Sequence, residues 1–205
     1  MPNFGLDLTA WFTQNAEQVS RDLTRYFGGG KDKFTGRWFE EFAAIGDPNR
    51  FEASDILAVE ALSVEVPTEA ASVLLITEAE KFNSLLRQIP RSQSLWEVSR
   101  LVVDVGSPAN DLHTALRTLP GVDWVTSGKL LAAKRPRLIP ILDNKVKDYI
   151  HPPDGLFWVK LYDELADDSR RAVISGVCRS APPYVSLLRR IDVALWMAAT
   201  QGPKR

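Results

Sequence analysis

The chemistry in this sequence concentrates between Leu116 and Ile150, in LRTLPGVDWVTSGKLLAAKRPRLIPILDNKVKDYI. Leu112, Leu116 and Leu119 give one helix an apolar face, Pro120-Gly121 makes a turn, and a second helix begins near Thr126 and Ser127. Gly121 accepts a positive φ and lets another backbone approach closely. The N–H groups at the start of the second helix point outward, which favours an anion such as a phosphate. Between residues 129 and 147, Lys129, Lys134, Arg135, Arg137, Lys145 and Lys147 stand against one acid, Asp143. That segment carries +5 and leaves −6 for the rest of a chain whose net charge is −1. A basic segment in an otherwise acidic chain is the footprint of a phosphate-backbone contact. Asp143 follows the apolar run Leu138-Ile139-Pro140-Ile141-Leu142 and opens a helix. A carboxylate there stays ionised and can act as a base or stabilise a developing positive charge.

Each of these residues also has a plainer reading. Asp143 is equally an N-cap for NKVKDYI. The Lys/Arg run is either a DNA-facing groove or a solvated face, and Trp124 either stacks on a base or anchors the turn half-buried. Trp11, Trp38, Trp96, Trp158 and Trp196 sit at amphipathic helix positions and are expected in the core. Gly28-Gly29-Gly30 lacks the strand and the Gly-Lys-Ser/Thr order of a phosphate loop and reads as a linker. Lys31, Lys33, Arg37 and Arg50 could extend a basic face, but nothing in the sequence gives their direction. His113 and His151 have no partner at ligand spacing, and Cys178 reads as a buried thiol.

The whole chain restricts the function classes further. It has 205 residues, 45% hydrophobic and 25% charged, with 25 Lys+Arg against 26 Asp+Glu. Such a composition folds into one large domain or two small ones. One cysteine excludes an internal disulfide and a four-cysteine metal or iron–sulfur site. No cofactor and no metal are expected. No stretch reaches the roughly 20 apolar residues that span a bilayer, so no membrane partner is expected. The first residues are not expected to be a signal peptide, and the chain is expected in the cytoplasm.

The elements that must position the window are helical. The spacing predicts one helix over 6–27 and an aromatic-rich segment up to Asp47-Pro48. A helix capped by Ser54 or Asp55 then runs to Pro67, and others start at Thr68 and within EAEKFNSLLRQI. A helix is expected from Ser94 to Gly106, one capped by Asn110 or Asp111, one over TSGKLLAAKR and one from Asp143. Two more are expected over 157–178 and 184–199, with Gly202–Arg205 as a frayed tail. The expected fold is all-α, with nine or ten helices and short loops.

Within this frame LPGVDWVTSGKLL resembles the helix–hairpin–helix of the DNA glycosylases related to endonuclease III. Their hairpin commonly reads Leu-Pro-Gly-Val-Gly, a variable pair, then Thr-Ala and an apolar helix. Leu142-Asp143-Asn144-Lys145-Val146 is similar to the segment that carries their aspartate. Val125 stands where bifunctional members have a lysine, and Asp143 follows it by eighteen residues, as in the endonuclease III type. Upstream, DILAVEALSVEVPTEA is similar to their early core helix, whose Leu-Ser-x-Gln motif here reads Leu62-Ser63-Val64-Glu65. The similarity covers about 35 residues of the window and about 16 upstream. The two ends, 1–50 and 152–205, resemble only a group of actinobacterial proteins of similar length. Asp123 departs from the second hairpin glycine; aspartate tolerates the left-handed region, but its charge would repel a phosphate.

The resemblance implies two helical subdomains flanking a cleft. One is 52–136, with the hairpin at Leu112–Ala133; the other combines 1–51 with 137–205. It also implies double-stranded DNA as partner and a monofunctional DNA N-glycosylase activity on a modified or damaged base. Without a lysine at Val125 there is no Schiff-base lyase step. Asp143 would be catalytic. Gly121, Trp124, Val125, Thr126, Lys129, Lys134, Arg135 and Lys145 would bind the nucleic acid. A non-catalytic DNA-binding protein and a helical protein–protein interaction domain are the alternative readings.

Overall fold

The computed structural model describes residues 3–30 and 34–201; Lys31, Lys33 and the tail from Gly202 lie outside them. Among the described residues there are twelve α-helices and no strand, and no helix is long and apolar enough to cross a membrane. The chain runs α1 (Leu8–Gln14), α2 (Ala16–Phe27), a 3-10 turn (Thr35–Trp38), α3 (Phe39–Ala43) and α4 (Ala53–Ala61). α5 (Thr68–Ser72) continues as a π-turn (Val73–Thr77) into α6 (Ala79–Leu86). Two 3-10 turns, Leu95–Glu97 and Arg100–Val102, lead to α7 (Pro108–Leu116) and α8 (Trp124–Lys134). α9 (Asn144–Ile150), α10 (Phe157–Ala166), α11 (Asp168–Val177), a 3-10 turn (Cys178–Ser180) and α12 (Leu187–Gln201) complete it.

Several expected helices are divided by side chains that bond to their own backbone. The 6–27 helix breaks at Asn15, whose Nδ2 donates to Trp11 O at 2.8 Å. The 157–178 helix breaks at Asp167, which is extended and caps α11 by accepting from Ser169 and Arg170 N–H. The helix expected from Ser94 to Gly106 is not formed. Ser94 and Glu97 close a capping box around a single 3-10 turn. That loop is tied to the end of the basic window, with Leu95 N–H donating to Arg137 O at 2.8 Å and Arg137 Nη2 to Ser94 Oγ at 2.8 Å. α7 is capped by Ser107 with Pro108 in its first turn, not by Asn110 or Asp111. α4 stops at Ala61, short of Pro67, and Ser63 turns the chain with φ 60°.

α8 is the central strut. It packs against α4, α7 and α3, and nine of its eleven residues are buried. α9 packs on α12, α12 on α2, and α1 on α11. α3, from the N-terminal segment, lies against α4 and α8. Leu8, Phe12, Leu23, Phe39, Phe82, Leu86, Leu112, Leu116 and Leu130 share one continuous core. Trp11, Trp96, Trp158 and Trp196 pack partly buried against it. Trp38, expected with them, is 42% exposed and carries Arg37 over its ring.

Three cations expected to bind DNA are instead buried, Lys129, Lys134 and Arg135, and the last two lie away from any cleft wall shared with Asp143. Arg135 is 1% exposed. Its guanidinium donates to the carbonyls of Ile89, Pro48, Lys134 and Leu86 and to Asn49 Oδ1. Burial, with a smaller push from Arg91, brings it down to about 10, so it remains charged. Lys134 Nζ lies 2.6 Å from Asp55 Oδ2 and donates to Asp47 O at 2.9 Å. Both side chains are buried and bonded inside the chain, the five donors of Arg135 to carbonyl and amide oxygens and Lys134 to Asp55 and the Asp47 carbonyl, so neither is presented to a partner. Removing one member of a buried ion pair strands the other charge, which costs about 3–5 kcal/mol. Lys134→Met should lower the unfolding free energy by about that amount in urea denaturation. Lys134→Met combined with Asp55→Leu should recover most of it, short of the about 1 kcal/mol from the cap that Asp55 makes to Glu52 N–H.

Candidate functional site

A cleft of about 620 Å³ opens beside the start of α8. Val125 and Lys129, four residues apart, face it from α8, with Asp123 at the rim. Ile141 and Asp143 reach it from the extended segment before α9, and Leu62, Ser63 and Val64 from the turn after α4. Arg189, Asp192 and Trp196 enter from α12 at i, i+3 and i+7, one helical face. Tyr26 of α2 and Phe34 complete the wall. The lining thus draws on the central helices and on both terminal parts of the chain.

Asp143 is half-buried and caps α9, its Oδ1 accepting from Lys145 N–H at 2.8 Å and Val146 N–H at 3.3 Å. Both capping bonds use Oδ1. Lys129 is 3% exposed, and its Nζ donates to Leu62 O at 3.1 Å. Burial pushes its ammonium below the ordinary lysine value, against the pull of Asp143 and Asp192. Arg189 donates to Tyr26 Oη at 2.8 Å and Gly36 O at 3.1 Å, pairs with Asp192, and has Glu40 Oε1 3.5 Å from its Nε. Burial raises the Asp192 carboxyl, with Arg189 opposing it. Tyr26 and Phe34 stack with centroids 5.0 Å apart, and Trp196 stands at 89° to Phe34. Lys145 Nζ sits 5.5 Å above the Trp196 ring.

Asp143, Val125, Lys129 and Lys145 therefore meet in one cleft. Gly121, Thr126, Lys134, Arg135 and Trp124 do not line it. Gly121 has φ 71°, and a Cβ there would come within 2.7 Å of Pro67 Cγ, so it serves a close backbone approach. Thr126 is buried, and its N–H donates to Asp123 Oδ1 at 2.8 Å. Asp123 is extended, not left-handed, and it is the N-cap of α8. Its carboxylate occupies the helix terminus that was expected to hold a phosphate. Burial tends to raise that carboxyl, but N–H donation from Thr126 and Val125 and the Lys129 charge hold it below the usual range. Trp124 points into a second cavity on the far side of α8. His113, expected to be incidental, is half-buried with Nε2 3.1 Å from Trp124 O. Cys178 is buried, and burial pushes its thiol up to about 12.

Sequence reasoning missed Tyr26, Phe34, Arg189 and Asp192; Trp196, expected in the core, packs partly buried against it and also lines the cleft. The i, i+3, i+7 spacing on α12 was the available signal; nothing local marks Tyr26 or Phe34. Among the described residues no group of three or more His, Cys, Asp and Glu could hold a metal ion.

Fold and site together define an all-helical protein with a cleft lined by acids, buried cations and aromatic rings. Residues 19–199 match the model of a family of unknown function, DUF6308, and the chain belongs to that family. No curated protein and no solved structure matches it.

The Asp123 cap generates a pH-dependent prediction. Its carboxyl sits lower in the folded chain than in the unfolded one, so its contribution is present above the ordinary carboxylate value and is lost as pH falls. Asp123→Ala should lower stability by about 1 kcal/mol near neutrality. In thermal melts the gap from wild type should narrow as pH drops from about 5 towards about 2. A gap that stays constant across this range would contradict the assignment.

Proposed function

We propose that this chain is a helix–hairpin–helix DNA N-glycosylase without lyase activity, hydrolysing the glycosidic bond of a modified or damaged base in double-stranded DNA. One observation carries the reading: Asp143 shares a single cleft with Val125 and Lys129 of the helix that follows the Gly121 turn. The motif positions Leu62, Ser63 and Val64 line the same cleft. In this reading the target nucleotide leaves the stack and enters the cleft. The rings of Tyr26, Phe34 and Trp196 supply flat surfaces for the base, and Arg189 and Asp192 supply polar groups for its edge. The base departs with the bonding electron pair. The Asp143 carboxylate stabilises the positive charge that develops on the sugar and orients the water that attacks it; the water gives its proton to the carboxylate and the departed base takes one up from solvent. Val125 offers no amine, so the reaction ends at the abasic sugar.

The phosphate grip differs from the one first expected. Lys134, Arg135 and the Thr126 N–H are used internally. In this reading the backbone is held by Lys145 beside the cleft. The second reading is a DNA-binding protein on this fold without turnover; the Asp123 cap on the helix that would hold the phosphate weighs on duplex affinity in both readings.

Asp143→Asn separates the two. It keeps a capping group and should reduce base release from damaged duplex DNA by about a hundredfold or more, with duplex affinity within about threefold of wild type. Affinity should fall steeply with salt concentration for either DNA-binding reading. Base release unchanged in Asp143→Asn removes the hydrolytic role. Salt-independent binding, or none, removes DNA as the partner.

A further inference from the structure

A second cavity, of about 330 Å³, lies back to back with the cleft. Its position follows from two periodicities. On α8, Val125 and Lys129 face the cleft, while Trp124 and Gly128 face the second cavity. On the extended segment, Ile141 and Asp143 face the cleft, while Pro140 and Leu142 face the second cavity. This volume falls at the lower end of the range for small-molecule sites.

The lining divides into a flat apolar side and a polar side. Trp124 and Trp158 present indoles, and Trp158 is fixed by its Nε1 donating to Pro140 O at 3.2 Å. Adjoining them, α7 and its C-cap present Asn110, His113, Thr114 and Arg117 at i, i+3, i+4 and i+7, so one helical stripe is polar throughout. The His113 ring lies 5.3 Å from the Trp158 ring at 75°. Its Nε2 faces a carbonyl oxygen, which only accepts, so Nε2 carries the proton and Nδ1 remains an acceptor. Burial holds the ring below the ordinary histidine value, which keeps it neutral at pH 7. At the mouth, Lys147 Nζ lies 5.5 Å from the Trp124 centroid and 3.6 Å from the fully exposed Asp154.

Gly128 is the telling residue. It lies inside α8, where glycine is less favourable than alanine. A Cβ there would meet nothing nearer than His113 Nε2 at 3.9 Å. Packing within the chain therefore does not require the glycine, and its effect is to leave the cavity floor open.

We propose that this cavity binds a nucleobase carrying a phosphate, the ring against the two indoles, its edge on the α7 stripe, and the phosphate at Lys147 and Arg117. The phosphate takes the place of the Asp154 carboxylate at Lys147. The shared chemistry admits two sources, a free nucleotide or a base of a nucleic acid strand. The proposal does not rest on the hydrolytic reading of Asp143, and its test involves no base release.

The probes are AMP, adenosine and a short single-stranded DNA oligonucleotide, titrated by tryptophan fluorescence and calorimetry. AMP or the oligonucleotide should bind saturably. Gly128→Leu, which fills the floor, should weaken that binding tenfold or more. Gly128→Ala, which adds one methyl to open space, should melt at or above the wild-type temperature and serves as the folding control. Lys147→Ala should weaken AMP or oligonucleotide binding several-fold and leave adenosine unaffected. Binding of AMP assigns the free nucleotide as source, and binding of the oligonucleotide alone assigns the strand. No saturable binding by either probe overturns the proposal. So does binding undiminished in a folded Gly128→Leu, or an equal loss for AMP and adenosine in Lys147→Ala.

Discussion

Lys134 and Arg135, at the C-terminal end of α8, hold together three parts of the chain that are distant in sequence. One takes the Asp55 carboxylate of α4 and the Asp47 carbonyl; the other gathers carbonyls from the 48–49 loop, the end of α6 and Ile89. Carbonyl oxygens withdrawn from water need donors, and here one guanidinium provides them for several loops at once. The end of α8 is therefore fixed on all sides. Its beginning, eleven residues away, is fixed by Asp123 and by the contact of Gly121 with Pro67. A strut held at both ends gives the side chains along it stable directions.

Those directions explain why two cavities share the strut. A helix repeating every 3.6 residues and the non-helical segment 140–143, whose residues alternate, each divide their residues between the same two spaces. Asp143 and Leu142 are neighbours in sequence but face different cavities. One stretch of backbone therefore borders both spaces.

Much of the local architecture was legible in the sequence. The Gly121 turn and the start of α9 at Asp143 lie where the turn and capping residues put them, while α8 begins at Trp124, two residues before the expected Thr126, because Asp123 caps it. Asn15 and Asp167 were missed as breaks because the apolar periodicity continues across them, and a side-chain bond to the backbone leaves that pattern intact. The 94–106 segment misled for the converse reason: it has helical spacing, but its polar groups bond to residue 137, a long-range partner. Within the basic window, the burial of Lys134 and Arg135 was not legible. Charge counted along the chain does not distinguish a solvated cation from one sequestered by carbonyls, and Lys134 and Arg135 belong to the second kind. The aromatic wall was invisible because Tyr26, Phe34 and Trp196 meet only once α12 folds back onto α2.

Gly36 sits where the loop after α2 passes over Arg189. A Cβ at this position would fall on the Tyr26 hydroxyl, beside the terminal nitrogen of Arg189. Any larger residue would evict the phenol, and the guanidinium would lose a ligand while Asp192 and Glu40 remained beside it. Positions 26, 36 and 189 form a single unit. A side chain at 36 would therefore disturb the cleft wall at Tyr26 and Arg189 together.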